Sequence, residues 1–173
     1  MVRSQAVDAP VQTLLLDRND WVPNNPRLPV LIYIKAIAIQ PSDPAALFEN
    51  IFSANGWPPQ WRYGIHDYHH YHTQGHEVLG IVSGFARLML GGPQGRVLEV
   101  SAGDVLLLPV GIAHCNNESS DDFLVVGAYP PGQHADICRD APTQEQLASI
   151  LELPFPERDP VQGVHGAVSR HWL

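Results

Sequence analysis

The sequence predicts an all-β fold with one or two short flanking helices, and three observations support this. The 173 residues include 16 prolines and 14 glycines, which leave room for short strands and for few helices. Six short β-like pieces follow one another in the central part of the chain, with turn residues between several of them. Only two stretches combine a helix start signal with apolar residues at helical spacing.

The predicted strands begin with residues 30–39, an apolar run rich in β-branched residues between two prolines. Further strands are expected where short apolar or alternating pieces are bounded by turn residues. These pieces are residues 61–65, 77–82, 86–90, 96–100, 105–108 and 123–129. Many short strands at this spacing are typical of a β-sandwich or a β-barrel.

The two predicted helices flank the central strands. The first begins near Ser42 and Asp43 and ends near Gly56, with apolar residues on one face. The second begins at Thr143, whose spacing to Gln146 is that of a capping box, and stops before Pro154. Residues 164–173 are a candidate edge strand.

The length and composition predict one domain over residues 1–173. Residues 60–130 form its expected core, and residues 1–59 and 131–173 are expected to pack on that core as flanking segments. Within these segments, residues 1–29 and 152–173 are Pro-rich or irregular. The chain carries 18 acidic and 10 basic residues, with a net charge of −8 and Lys35 as its sole lysine. This charge argues against nucleic acid and anionic membranes as partners.

Neither a membrane span nor a secretory signal is expected. The apolar run 30–39 contains Lys35 and is far shorter than the roughly 20 residues that a membrane helix needs. The N-terminal residues have no basic start and no apolar run before the first aspartate. We therefore expect a cytoplasmic protein in which Cys115 and Cys138 are free thiols.

Histidine is the most informative residue type, since five of nine histidines lie between residues 66 and 76. On a strand, His70 and His72 share one face, with their backbones about 7 Å apart. Glu77 follows after a short turn, and His114 lies downstream. Three imidazoles and a carboxylate suit iron(II), manganese, nickel or zinc with open coordination positions. Taken alone, however, a His-x-His pair favours a solvated loop.

The spacing around these four residues resembles the two motifs of the cupin superfamily. The first motif is Gly64, His70, His72, Glu77 and Gly84, and the second is Gly103, Pro109, Gly111 and His114. The two motifs are separated by 18 residues. Over roughly residues 60–140 the chain looks like small bacterial single-domain cupins that are loosely labelled as similar to mannose-6-phosphate isomerase. A weaker likeness covers 159–163 and Trp172.

This resemblance implies a jelly-roll β-barrel that holds one divalent metal ion through His70, His72, Glu77 and His114. The first motif also allows a shorter spacing, which would select His76 instead of Glu77. We prefer Glu77, because the six-residue spacing to Gly84 is kept only from there. The chain departs from the pattern at Glu118, where cupins commonly have a structural asparagine.

Other residues near the motifs have less defined roles. His66 and His69 are expected to be packing, surface or supporting groups rather than ligands. Tyr129 could offer a hydroxyl to a substrate, although aromatic residues on strands are more often core. The segment 57–61, with a tryptophan at each end, is either a flap at the barrel entrance or a loop pinned to the core.

The resemblance implies a metal-dependent enzyme acting on a small polar organic molecule. We rank oxygenase chemistry above phosphosugar isomerisation, because Lys35 is the sole lysine and lies outside the motifs. The alternative is a non-catalytic module that binds a metabolite or sugar in the same pocket. A homodimer is also expected, because the strand 30–39 would otherwise leave an apolar sheet edge unpaired.

Overall fold

The structure is a computed structural model that describes residues 10–173. In this part of the chain there are nine strands and three helices. The strands are β1 Val11–Leu16, β2 Asn25–Tyr33, β3 Pro59–Tyr63, β4 Glu77–Ser83, β5 Phe85–Leu90, β6 Arg96–Ser101, β7 Val105–Leu108, β8 His114–Ser119 and β9 Leu124–Ala128. The helices are α1 Pro44–Ala54, α2 Gln144–Glu152 and α3 Ala167–His171. The prediction of an all-β fold with short helices is confirmed.

The strands form two antiparallel sheets. The larger sheet has the order β1-β2-β7-β4-β9-β3, and the smaller one has the order β6-β5-β8. Apolar side chains from both sheets share one buried cluster, which includes Leu79, Ile81, Leu88, Leu90, Leu106, Leu108 and Val125. Two antiparallel sheets packed in this way form a jelly-roll-like sandwich.

The second face of the larger sheet is covered by helices. Phe48 and Phe52 of α1, together with Val168 of α3, pack in a cluster with Val78 and Val105 of the sheet. The central strands are therefore buried on both faces, and all four residues of β7 are buried. This two-sided burial explains why β7 is a continuous apolar run rather than an alternating one.

The N-terminal part contributes two strands to the larger sheet, so the expectation of an irregular flanking segment up to residue 29 is wrong. The prediction of one strand over 30–39 is also wrong, because β2 starts at Asn25 and ends at Tyr33. The chain turns at Lys35, which has a φ of 50°. The Lys35 N–H donates to Asp104 Oδ1 at 2.9 Å, which stabilises this turn.

Pro26 and Pro29 explain why the sequence pattern did not predict that β2 starts at Asn25. Pairing with β1 changes register between Leu14, opposite Val30, and Leu16, opposite Asn25, so residues 26–29 lie in an irregular part of the ladder. Proline is tolerated at such irregularities because no ladder hydrogen bond from its nitrogen is required there.

The structure has no unpaired apolar sheet edge at β2, so the argument from such an edge for a homodimer is wrong. Strand β2 lies between β1 and β7, so the apolar run 30–33 is an interior strand rather than an exposed edge. Homodimerisation stays a prediction, and sedimentation velocity at micromolar concentration tests it.

Four predictions concern a membrane span, a secretory signal, the domain organisation and the location of the protein. No helix in residues 10–173 has the length and apolarity that a membrane crossing requires. The expectation about a secretory signal rests mainly on residues 1–9, which lie outside the described residues. The single-domain organisation and the cytoplasmic location stay predictions.

The helix caps are close to the predicted ones, whereas the C-terminal segment is not. Asp43 caps α1 by accepting from the Ala46 N–H, and Thr143 forms a capping box with Gln146 at α2. Residues 164–173 are not an edge strand, because α3 lies there. Trp172, which directly follows α3 in the chain, is buried. Its indole N–H donates to the Pro29 carbonyl of β2 at 2.9 Å and so attaches the C-terminus to the larger sheet.

A buried aspartate organises the C-terminal segment. Asp159 is fully buried, and its carboxylate accepts from the Tyr33 hydroxyl at 2.6 Å. It also accepts from the N–H groups of Val161, Gln162 and Val168. Burial raises the pKa of Tyr33 well above its usual range, and the Asp159 carboxylate raises it further, so this hydroxyl remains a donor.

We expect Asp159→Ala to lower the free energy of unfolding by at least about 2 kcal/mol, because it leaves buried donors without an acceptor. Urea denaturation followed by circular dichroism measures this. The exposed Asp121 provides the control, since Asp121→Ala should change stability by less than about 0.5 kcal/mol. Equal stabilities of the two variants would contradict the role of Asp159.

Candidate metal centre

Backbone hydrogen bonds bring the two sequence motifs together. His70 and His114 form an isolated antiparallel bridge, in which the His114 N–H donates to the His70 carbonyl at 2.9 Å and the reverse bond measures 3.3 Å. The Gly111 N–H donates to the His72 carbonyl at 2.8 Å. Gly111 has a φ of 94°, and a Cβ there would lie 2.5 Å from the Asn24 carbonyl oxygen, so this approach requires glycine.

The side chains of His70, His72 and His114 meet inside the sandwich. One nitrogen of each ring lies within 4.8 Å of the others, and all three residues are buried. Glu77, the first residue of β4, is buried beside them. Its Oε1 lies 3.4 Å from His72 Nε2 and 3.5 Å from His114 Nε2.

The second nitrogen of each imidazole is occupied by a backbone carbonyl. Nδ1 lies 3.0 Å from the Tyr68 oxygen in His70, 2.7 Å from the Asp136 oxygen in His72, and 3.0 Å from the Ile112 oxygen in His114. A carbonyl can only accept, so in each ring Nδ1 carries a proton as donor. In the neutral ring the Nε2 lone pair is then free for a metal ion.

Burial and charge set the protonation of this group. Burial lowers the pKa of His70 to about 2, so His70 is neutral at ordinary pH. Burial also opposes the charged form of His72, but the Glu77 carboxylate raises the pKa of His72 above its usual value. Burial opposes ionisation of Glu77 as well, yet the charges and hydrogen bonds of His72 and His114 hold its pKa below the usual range.

The donor set fits a metal ion. Three buried imidazole nitrogens lie within 4.8 Å of one another, and the buried Glu77 carboxylate lies beside two of them. Without a cation or bound protons the lone pairs of these groups would repel one another. Three imidazoles and one carboxylate are ligands that divalent transition metals accept, and buried charges in proteins are commonly paired or bound to metals. The group of His70, His72 and His114 could therefore bind a metal ion.

His76 lies elsewhere. Its Nδ1 accepts from the Val110 N–H at 3.0 Å, and its Nε2 lies 3.4 Å from the Leu153 carbonyl oxygen. The ring packs against Trp172 and Phe155. Burial lowers the pKa of His76 to about 4, which suits a neutral core histidine. The structure thus brings Glu77, rather than His76, to the three imidazoles.

A cavity of about 330 Å³ opens from the four residues toward the surface. Apart from them it is lined by Trp61, Tyr63, Gly64, Ile65, His66, Leu79, Tyr129, Ala135 and Ile137. No lysine or arginine is among these lining residues. The wall is mainly aromatic and aliphatic, as in many small-molecule sites.

The comparison with known proteins gives one relative over nearly the whole chain. It is the uncharacterised protein YjlB of Bacillus subtilis strain 168, with 31% identity over 164 residues. The match covers 94% of this chain and 96% of YjlB. The chain belongs to the YjlB family. No protein-family model matches it.

In this YjlB-family chain, the cavity wall depends on an irregularity in β3. The register between β3 and β9 shifts between Pro59 and Trp61, and Trp61 then pairs with Gly127. A Cβ on Gly127 would overlap the Trp61 indole ring, so the indole lies directly over the glycine backbone. Such irregularities re-aim side chains near functional sites, and here Trp61 is directed into the cavity.

Tyr129 connects this wall to the candidate ligands. Its hydroxyl accepts from the Trp61 indole N–H at 2.7 Å. Val78 pairs with Ala128, so the next residues in register, Glu77 and Tyr129, are cross-strand neighbours. Burial raises the pKa of Tyr129 well above its usual range, and the Glu77 carboxylate raises it further. The hydroxyl therefore keeps its proton and can donate a hydrogen bond to the Glu77 carboxylate.

The two tryptophans of segment 57–61 have different roles, which answers the question of a flap or a pinned loop. Trp57 is fully buried and its indole N–H donates to the Arg158 carbonyl at 2.9 Å, so this end is pinned to the core. Trp61 forms part of the cavity wall.

The sequence gives no indication of one supporting residue, Asp136. Its carbonyl is the acceptor for His72 Nδ1, and its carboxylate accepts from the N–H groups of Thr73 and Gln74 and from the Thr73 hydroxyl. Asp136 therefore fixes the orientation of His72 from 64 residues away in the chain. No local pattern marks such a contact.

We expect Gly127→Ala to displace the Trp61 indole and to lower the free energy of unfolding by about 1–3 kcal/mol, because the added methyl overlaps the ring. Chemical denaturation and the tryptophan emission maximum measure both effects. Gly64→Ala is the matched control, since a Cβ on Gly64 meets nothing within 4 Å. A Gly127→Ala protein with unchanged stability and emission would contradict this packing.

Proposed function

We propose that this protein is a cupin that binds one divalent transition metal ion through His70, His72, Glu77 and His114. We further propose that it is a metal-dependent enzyme acting on a small organic molecule in the adjoining cavity. The observation that carries the proposal is the convergence of three buried imidazoles, two of which place Nε2 within 3.5 Å of the buried Glu77 carboxylate, with every Nδ1 bonded to a backbone carbonyl.

The geometry supports Glu77 as the fourth ligand. Its carboxylate already lies beside two of the imidazoles, whereas His76 is engaged with Val110 on the opposite side of the strand. Three nitrogen ligands and one oxygen ligand suit iron(II), manganese, nickel or zinc. When bound, the ion supplies Lewis-acid polarisation and an open position where an exogenous ligand can dock.

The protein residues would position the ion and limit the access of water. The carbonyls of Tyr68, Asp136 and Ile112 hold the imidazole rings in one orientation, which raises the precision of the site. Trp61 and Leu79 give the cavity an apolar wall that favours an organic ligand over bulk water.

The cavity argues against phosphosugar isomerisation, and we therefore keep oxygenase-type chemistry as the preferred proposal. A phosphorylated sugar needs cationic partners for its phosphate, and among the described residues none that lines the cavity is lysine or arginine. Arg62, the nearest in sequence to the wall, is engaged with Glu49 at 2.6 Å on the exposed surface.

We expect protein purified without a histidine tag to contain about one divalent transition metal ion per chain. His70→Ala, His72→Ala and His114→Ala should each reduce its metal affinity by at least about tenfold, because each removes a ligand. Elemental analysis by plasma mass spectrometry measures the content and identifies the ion. Full metal content in all three variants would contradict the site.

The role of Glu77 is tested by comparing Glu77→Gln with His76→Gln. The first substitution keeps the shape of the side chain but removes the charge, so metal affinity should fall at least about tenfold. His76→Gln should keep about one ion per chain once circular dichroism shows that the protein is folded. The reverse result would assign the fourth ligand to His76.

Metabolite binding to the metal-loaded protein without turnover would indicate the non-catalytic binding module instead.

A further inference from the structure

We propose that the ligand of this site is a compact, largely apolar organic monoanion, such as a monocarboxylate, phenolate or enolate, rather than a phosphate ester or another dianion. This inference rests on the proposed metal site. It goes further by naming the chemical class of the molecule that binds there.

The charge balance of the metal-loaded site favours a monoanion. A divalent ion brings two positive charges, and the Glu77 carboxylate brings one negative charge. The imidazoles act as neutral ligands, because their Nε2 lone pairs are the metal-binding groups. The loaded site therefore has one net positive charge. A monoanion neutralises it, whereas a dianion leaves an uncompensated negative charge in a buried environment.

The cavity wall lacks a second permanent cation within residues 10–173. The residues of this part of the chain that line the cavity include no lysine and no arginine. Arg62 is paired with Glu49, and Arg139 lies over the Tyr68 ring at 3.9 Å from its centroid. Neither arginine lines the cavity, so neither offers a partner for a second negative charge inside it.

The size and polarity of the cavity favour a compact, largely apolar ligand. Its volume of about 330 Å³ is at the lower end of the range of about 300–1,000 Å³ that is typical of small-molecule sites. Beyond the four candidate ligands, Trp61, Ile65, Leu79 and Ile137 present aromatic or aliphatic surface. A ligand that places one anionic group at the metal and a short hydrocarbon or aromatic body against these residues matches this surface.

The test uses the full chain loaded with cobalt(II), whose visible absorption reports changes in coordination. Benzoate and phenyl phosphate are titrated separately at pH 8, where a phosphate monoester carries two charges. We expect benzoate to change the spectrum saturably and to bind at least about tenfold more tightly than phenyl phosphate. Equal or tighter binding of phenyl phosphate would overturn the inference.

A charge-adding variant sharpens the test. Ile137 lines the cavity and is about half exposed, so a longer polar side chain is accommodated there. Ile137→Arg should tighten phenyl phosphate binding at least about tenfold by supplying the missing cation, and Ile137→Gln, which is polar but uncharged, should not. An identical effect of the two variants would contradict the charge argument.

The two proposals fail in different ways. If the chain takes up no cobalt, the metal site itself is wrong. If cobalt binds at one ion per chain but benzoate leaves its spectrum unchanged up to high millimolar concentration, the metal site stands and the inferred ligand class is wrong.

Discussion

The buried Glu77 carboxylate among three imidazoles is the interaction on which the rest of the site depends. A carboxylate that is almost completely removed from water is costly unless positive charge or hydrogen-bond donors compensate it. Here two Nε2 atoms lie within 3.5 Å of it, and backbone carbonyls hold the rings in that orientation. The arrangement is costly without a cation and well suited to one, which is why this group could bind a metal ion.

The fold supplies this arrangement because its central strands are buried on both sides. The larger sheet packs against the smaller sheet on one face and against helices on the other. Glu77 starts β4 and His114 starts β8, so both candidate ligands lie at strand ends where the chain enters the sandwich. Strand ends combine a rigid backbone with access to a cavity, which is a favourable place for a binding site.

Much of the site follows from short-range sequence features. Alternation along an extended segment places His70 and His72 on one side, and the motif spacing indicates Glu77 and His114. The preference for Glu77 over His76 depends on a single spacing, the one to Gly84, because adjacent residues of an extended chain face opposite sides and either one fits a liganding spacing. In the structure His76 packs against Trp172, which comes from the far end of the chain, and Glu77 is the residue that lies beside the imidazoles.

The sequence by itself determined the strand-rich fold, the turn positions and the cluster of histidines, because these depend on neighbouring residues and on a period of two. Tertiary structure alone decided that the prolines of β2 lie in an interior strand, that polar β8 pairs with β5, and that Asp136 orients His72. Each of these depends on strand register and on contacts between residues far apart in the chain. Such contacts leave no local pattern, because their free energy comes from the assembled core rather than from any one segment.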